Sequence, residues 1–170
     1  MRLPSPFPWP DKATLSEIPS GADGTRTTLA TMASLVRAAR ILPIIRTLAV
    51  TIIAGLPHKA YAHQAARVQS WVQSHVQYVR DIRGVETLTP PAYLLTTRAG
   101  DCDDQAMLVA SLVESIGLPS RLVAGGDSPD RYVHVWAEVQ VDGQWCACET
   151  TEKWAFGKRP KFRCYLVVKV

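Results

Sequence analysis

Residues 132–141 alternate strictly between two residue classes, and the dipeptide Asp142-Gly143 follows them directly. A period of two places Val133, Val135, Ala137, Val139 and Val141 on one face of a strand, and Tyr132, His134, Trp136, Glu138 and Gln140 on the other. Asp-Gly suits a two-residue hairpin turn, whose central positions both require positive φ. The chain is therefore committed to an antiparallel hairpin here. Counting outward from the turn, Val141 faces Gln144, Trp136 faces Glu149 and His134 faces Thr151. Glu149 then shares a face with His134, one diagonal step away at roughly 7–8 Å between backbones, within reach of a glutamate side chain. The same register sends Cys146 and Cys148 to the valine-lined face as small buried hydrophobes. A slip of one residue would reverse every one of these assignments.

A second stretch, residues 98–106 (Arg-Ala-Gly-Asp-Cys-Asp-Asp-Gln-Ala), reads as a glycine turn that delivers Cys102 to the first turn of a helix. A helix N-terminus favours a thiolate, and its free N–H groups can hold an oxyanion. Asp101, Asp103 and Asp104 oppose the thiolate, because negative charge beside a thiol raises its pKa. Cys102 therefore needs a base from elsewhere. His134 can take the thiol proton and later return it to a leaving group, while Glu149 fixes the imidazole's tautomer and orientation. The candidate catalytic residues are Cys102, His134 and Glu149. The backbone N–H of Cys102 is one candidate oxyanion donor, and the second lies among Gln77, Tyr78 and Tyr93.

The helix that begins at Cys102 is expected to run to Ile116, ended by Gly117 and Pro119, with Asp101 or Asp103 as N-cap. Its buried face is Ala106, Val109, Leu112, Val113 and Ile116. Upstream, apolar positions predict a helix over 27–40, a buried helix over 41–56 and a third over 59–79 with the stripe Ala62, Ala65, Val68, Val72, Val76 and Val79. Residues 19–26 read as a loop around Gly21 and Gly24, and 81–96 as irregular. Residues 121–124 read as a short strand, followed by a loop over 125–130. His58, His63 and His75 lack the i, i+4 spacing of a helical metal site and are read as surface or packing residues.

Proline occupies alternate positions near the start of the chain, with Leu3 before them and Phe7 and Trp9 between them, so residues 1–26 are expected to form an extended arm. The arm is either a frayed terminus or a docking element anchored by Phe7 and Trp9. Residues 27–170 form one domain, with 27–57 a helical extension and 58–170 the core that carries the chemistry. A length of 170 residues suits one domain with an arm. The net charge of +4 is spread without a basic run, which gives no case for nucleic acid. The apolar run 41–56 contains Pro43 and Arg46 and is too short for a membrane span. The first residues lack a signal-peptide pattern, which points to the cytosol. Cysteines at 102, 146, 148 and 164 match neither a disulfide framework nor a zinc site and are expected as free thiols, and no cofactor or metal is called for.

Four segments in order, Gly100-Asp-Cys-Asp-Asp-Gln-Ala106, Gly117-Leu-Pro-Ser-Arg121, His134-Val-Trp-Ala-Glu-Val139 and Trp145 with Glu149, resemble the transglutaminase-like superfamily of papain-type cysteine enzymes over about residues 65–155. The resemblance implies an α+β fold in which the cysteine helix packs on an antiparallel sheet, with Cys102 as nucleophile and His134 as base. The family's third residue is usually aspartate before a Pro-Thr or similar pair, where this chain has Glu149-Thr150. The N-terminal helices, with Asp81, Glu86 and Pro90, also resemble small transglutaminase-like proteins of tailed bacteriophages and prophages. Two functions follow as expectations. One is acyl transfer on the amide bonds of a protein or peptide, by hydrolysis or by transamidation. The other is a structural or adaptor role in a phage particle, in contact with other virion proteins through the arm. A third, membrane association through residues 41–57, ranks below both.

Overall fold

The computed structural model describes residues 14, 16–81 and 87–170, so Phe7, Trp9, Glu86 and most of the expected arm lie outside the described residues. Five helices and two sheets follow: α1 (Gly21–Ala39), α2 (Pro43–Ile53), α3 (Tyr61–His75), β1 (Gln77–Tyr78), α4 (Pro91–Thr97), β2 (Ala99–Gly100), α5 (Cys102–Ser115), β3 (Ser120–Ser128), β4 (Arg131–Val141), β5 (Gln144–Cys148) and β6 (Cys164–Lys169). The architecture is α+β. An antiparallel sheet of order β5-β4-β3-β6 supports α5, and a parallel pair, β1 and β2, lies just before it.

The hairpin forms as its turn dictates. Asp142 and Gly143 take φ of 50° and 81°, the left-handed pair that a two-residue turn between right-twisted strands requires. The ladder runs from Val141 opposite Gln144 to Ala137 opposite Cys148, the register counted from the sequence. Cys148 is fully buried and Cys146 packs against the same core, as small hydrophobes do.

Helix α5 is the centre of the molecule rather than an amphipathic flank. Every one of its residues except Cys102 and Glu114 is buried, where one buried face was expected. Strands β3 and β4 cover one side, while α1, α2, α3 and α4 cover the rest. The near-continuous apolar run from Ala106 to Val113 is the pattern of a helix enclosed all round. Gly117, at φ 87°, ends it.

Other expectations are corrected as well, and glycine or proline lies behind most of the corrections. Helix α1 begins at Gly21, inside the segment read as a loop. A Cβ on Gly24 would lie 1.8 Å from the Pro19 carbonyl oxygen, so this glycine admits a backbone crossing instead of making a turn. Residues 91–97 form α4, with Pro91 at a first helical position where its missing N–H costs nothing. Strand β3 continues to Ser128 through the segment read as a loop, because Gly125 and Gly126 accept close neighbours and register shifts beside Tyr132 and Arg131. Helix α3 stops at His75, four residues early, and the chain turns into β1, leaving Val79 exposed. Helix α2 buries the stripe Ile45, Ala49 and Ile52 but leaves Val50 exposed, so it is a surface helix with one apolar face. None of the described helices is long and apolar enough to cross a membrane. His75 stacks on Trp71 at 4.5 Å between centroids, a packing role as read from the sequence.

Gly125 pairs with His134 on one side and Tyr165 on the other, and a Cβ there would lie 2.2 Å from the Phe162 ring. Gly125→Ala is expected to displace that ring and destabilise the fold by about 1–3 kcal/mol, seen as a lower denaturant midpoint at unchanged slope.

Candidate active site

The helix that carries Cys102 is started by its neighbour. The Asp101 carboxylate accepts hydrogen bonds from the backbone N–H groups of Asp103 (3.0 Å) and Asp104 (3.4 Å), which makes it the N-cap and puts Cys102 in the first helical position. Gly100 contributes in an unexpected way. It is no turn residue but sits in β2 opposite Tyr78, and a Cβ on it would lie 2.6 Å from the Asp104 carboxylate and 2.8 Å from the Leu94 side chain, which fill that space. Strand β1 thereby brings Gln77 and Tyr78 alongside the residues that lead into Cys102, whereas Tyr93 stands on α4.

The three aspartates have three different occupations. Asp101 caps the helix. Asp103 accepts the Cys102 thiol at 3.4 Å. Asp104 turns away from the thiol and accepts the backbone N–H of Thr89 at 2.7 Å. Burial, then the charges of Asp103 and Asp101, push the Cys102 thiol well above its ordinary pKa, and the backbone N–H of Val135 works against them. The crowding expected from three carboxylates therefore comes from two. At rest the group is a thiol. Its contact with the Val135 backbone places it beside the residue that follows His134 on β4.

His134 and Glu149 meet as expected, but the ladder ends at Ala137 and Cys148, so the expected pairs of Trp136 with Glu149 and His134 with Thr151 lie beyond it and Glu149 stands in the turn that follows the strand. His134 Nε2 lies 2.6 Å from Glu149 Oε2. With Nε2 engaged by the carboxylate as N–H donor, Nδ1 is the nitrogen left to accept a proton. The other carboxylate oxygen, Oε1, accepts the Thr151 backbone N–H and hydroxyl, both at 2.7 Å, and the Glu152 N–H at 3.4 Å. The side chain of Glu149 is only 1% exposed. Burial alone would raise its pKa, but the hydrogen bond and charge of His134 and the bonds from Thr151 lower it below the ordinary glutamate value. The extra methylene relative to aspartate is thus absorbed in a turn that the carboxylate itself closes.

The imidazole is also walled in by aromatic rings, with Trp136 at 5.8 Å and Phe162 at 6.3 Å between centroids. Beneath Trp136 the buried Glu138 accepts from Arg121, from Arg159 Nε at 2.7 Å and from Trp136 Nε1 at 3.2 Å. A buried carboxylate with two guanidinium partners tethers segment 159–162 over the sheet. The alternation along β4 placed Trp136 and Glu138 on the face of His134, but nothing local in the sequence marked Phe162 or Arg159 as its cover. Asp101, Cys102 and Asp103 also bring one potential ligand atom each within 4.8 Å of one another, but their cap and thiol contacts account for that grouping.

The family model of the transglutaminase-like superfamily matches residues 46–150. No curated protein sequence matches the chain. Among solved structures the fold is similar to a candidate cysteine protease from Cytophaga hutchinsonii, at 18% identity and a TM-score of 0.53 over 73% of this chain and 45% of that one. It is also similar to a candidate protease from Parabacteroides distasonis, at 14% identity and a TM-score of 0.56 over 71% of this chain and 26% of that one. The chain therefore spans less than half the length of either neighbour.

Two buried carboxylates make opposite contributions to acid stability. Burial raises Asp104 from 3.8 to about 6, so the folded state holds its proton more tightly than the unfolded chain, and stability falls as pH rises through that window. Asp104→Asn keeps an acceptor for Thr89 and is expected to remove this loss, with unfolding free energies at pH 7 rising relative to pH 4. Glu149 is depressed, so its contribution is present above the ordinary glutamate range and lost as pH falls through its folded pKa. Glu149→Gln is expected to lower stability at pH 7 by about 1–3 kcal/mol and to flatten the acid limb in the same titration.

Proposed function

Because the chain belongs to the transglutaminase-like superfamily, we propose that it is a cysteine-dependent enzyme that takes acyl groups from amide bonds through a thioester on Cys102. The observation that carries this reading is the 2.6 Å contact of His134 with Glu149, on the strand whose backbone touches the Cys102 thiol. The half-buried, acid-flanked thiol cannot rely on standing thiolate, so His134 removes its proton at Nδ1 as the sulfur attacks the carbonyl carbon. Glu149 stabilises the imidazolium so formed. The negative charge on the carbonyl oxygen falls to the Cys102 N–H at the start of α5, since the N–H groups of Asp103 and Asp104 are given to the Asp101 cap. His134 then protonates the leaving amine. Water completes hydrolysis of the thioester, and an amine completes transamidation. Both share every step up to the thioester, and a protein or peptide is the substrate class for each.

The alternative of a phage structural or adaptor protein that keeps the fold without turnover rests on the resemblance of the N-terminal half, including residues outside those described. Neither the family match nor the two structural neighbours speaks of a phage, so acyl transfer is the reading favoured.

The test is alkylation of the native protein with iodoacetamide, mapped by mass spectrometry, in wild type and His134→Ala. Cys102 is expected to label selectively, at a rate that falls at least about tenfold in the variant. Slow labelling that His134→Ala leaves unchanged would overturn the reading.

A further inference from the structure

The turn that presents Glu149 is held by one amide from a helix remote in sequence. Gln73 lies on α3, and its Nε2 faces three backbone carbonyl oxygens at once: Glu149 at 2.9 Å, Glu152 at 2.8 Å and Trp154 at 3.0 Å. One turn earlier on the same helix face, Gln69 Nε2 donates to the Trp154 carbonyl at 2.7 Å. Gln69 is buried and its Oε1 has no hydrogen-bond partner among the described residues, so its amide is kept for that single donation. Three converging acceptors define the orientation of the Gln73 amide, because its oxygen in that place would meet only other oxygens.

We propose that Gln73 is a positioning residue for the catalytic carboxylate, a role that rests on the reading of Cys102, His134 and Glu149 given above. Strand β5 ends at Cys148, so no ladder bonds fix the backbone of Glu149 itself. The carboxylate closes its own turn through Thr151 and Glu152, but that closure does not anchor the turn to the rest of the fold. Gln73 supplies the anchor by gripping the first residue of the turn, the residue at its far side and the chain beyond. A glutamate has one more rotatable bond than an aspartate, so its reach to His134 depends more strongly on where its backbone is held. Gln73 acts on His134 only through Glu149.

Three substitutions test this. Gln73→Glu is isosteric but turns an acceptor toward the three carbonyls, Gln73→Ala removes the grip, and Gln73→Lys restores a donor with three N–H groups for three oxygens. Two readouts are taken on each folded variant: amide hydrogen exchange at Thr151 and Glu152, and the pH dependence of Cys102 alkylation. Gln73→Glu and Gln73→Ala are expected to speed exchange at both amides about tenfold or more, as the loss of a hydrogen-bonded anchor implies. They are also expected to slow alkylation and to move its pH inflection down, since an imidazole without its carboxylate is a weaker base. Gln73→Lys is expected to recover both. Unchanged exchange in Gln73→Glu would overturn the anchoring whatever the chemistry does. Faster exchange with unchanged, His134-dependent alkylation would overturn the positioning role. If wild-type alkylation ignores His134, the reading of the site fails on its own, and the positioning role falls with it even where exchange responds.

Discussion

Two left-handed residues, Asp142 and Gly143, determine on which face of β4 each side chain from His134 to Val141 stands, while the register shift at Gly126 reverses the last two, leaving Val133 exposed and Tyr132 packed on the core. A tight turn leaves no slack in the count, so Val139 and Val141 are delivered to the core shared with α5, and Trp136 and Glu138 to the opposite face. Everything at the site inherits that choice. His134 comes to stand beside the stacked rings of Trp136 and Phe162, Glu149 arrives on the paired strand's extension within a hydrogen bond of it, and the backbone of Val135 meets the thiol of Cys102. A slipped register would bury the imidazole among valines and bring Cys146 or Cys148 to the face where Glu149 is needed.

The electrostatics at Cys102 are a balance of opposed contributions. The helix N-terminus and the Val135 N–H favour an anion, while burial and the carboxylates of Asp101 and Asp103 resist it, and the resistance wins. Asp101 cannot be removed from that balance without losing the cap that begins α5, so the same carboxylate that places the sulfur also holds its proton on. A site of this kind fits a thiol that reacts only when a base takes its proton in the transition state. The His134–Glu149 pair fits that base, with the carboxylate depressed and buried, and with its second oxygen occupied so that only one is turned to the imidazole.

Support for the site comes from places remote in sequence. Glu138 draws Arg121 and Arg159 together and so ties segment 159–162 over Trp136. Gln69 and Gln73 reach from α3 to the turn after β5. Gly125 and Gly100 leave room for Phe162 and for the Asp104 carboxylate. Each is a close approach between separate segments of the chain, and each involves a residue whose local role looks ordinary.

That difference in range separates what was legible from what was not. Alternation with a period of two, a turn dipeptide, a capping carboxylate and an apolar helical run are local patterns, and from them the hairpin register, the start of the cysteine helix and the meeting of His134 with Glu149 could be counted. Glycine was the least reliable sign, because Gly24, Gly100, Gly125 and Gly126 serve close packing, and nothing within a few residues distinguishes a missing side chain that allows a turn from one that allows a neighbour. The strand β6, for which no turn signal names a partner, and the all-round burial of α5 depend on what packs against them. The sequence by itself determined the placing of the candidate residues, with Cys102 at a helix start and His134 and Glu149 on one hairpin face, since these follow from short-range backbone geometry. Only the tertiary structure decided how the thiol's charge is set and how Glu149 is held, since burial and the Gln73 hydrogen bonds arise from contacts across the fold.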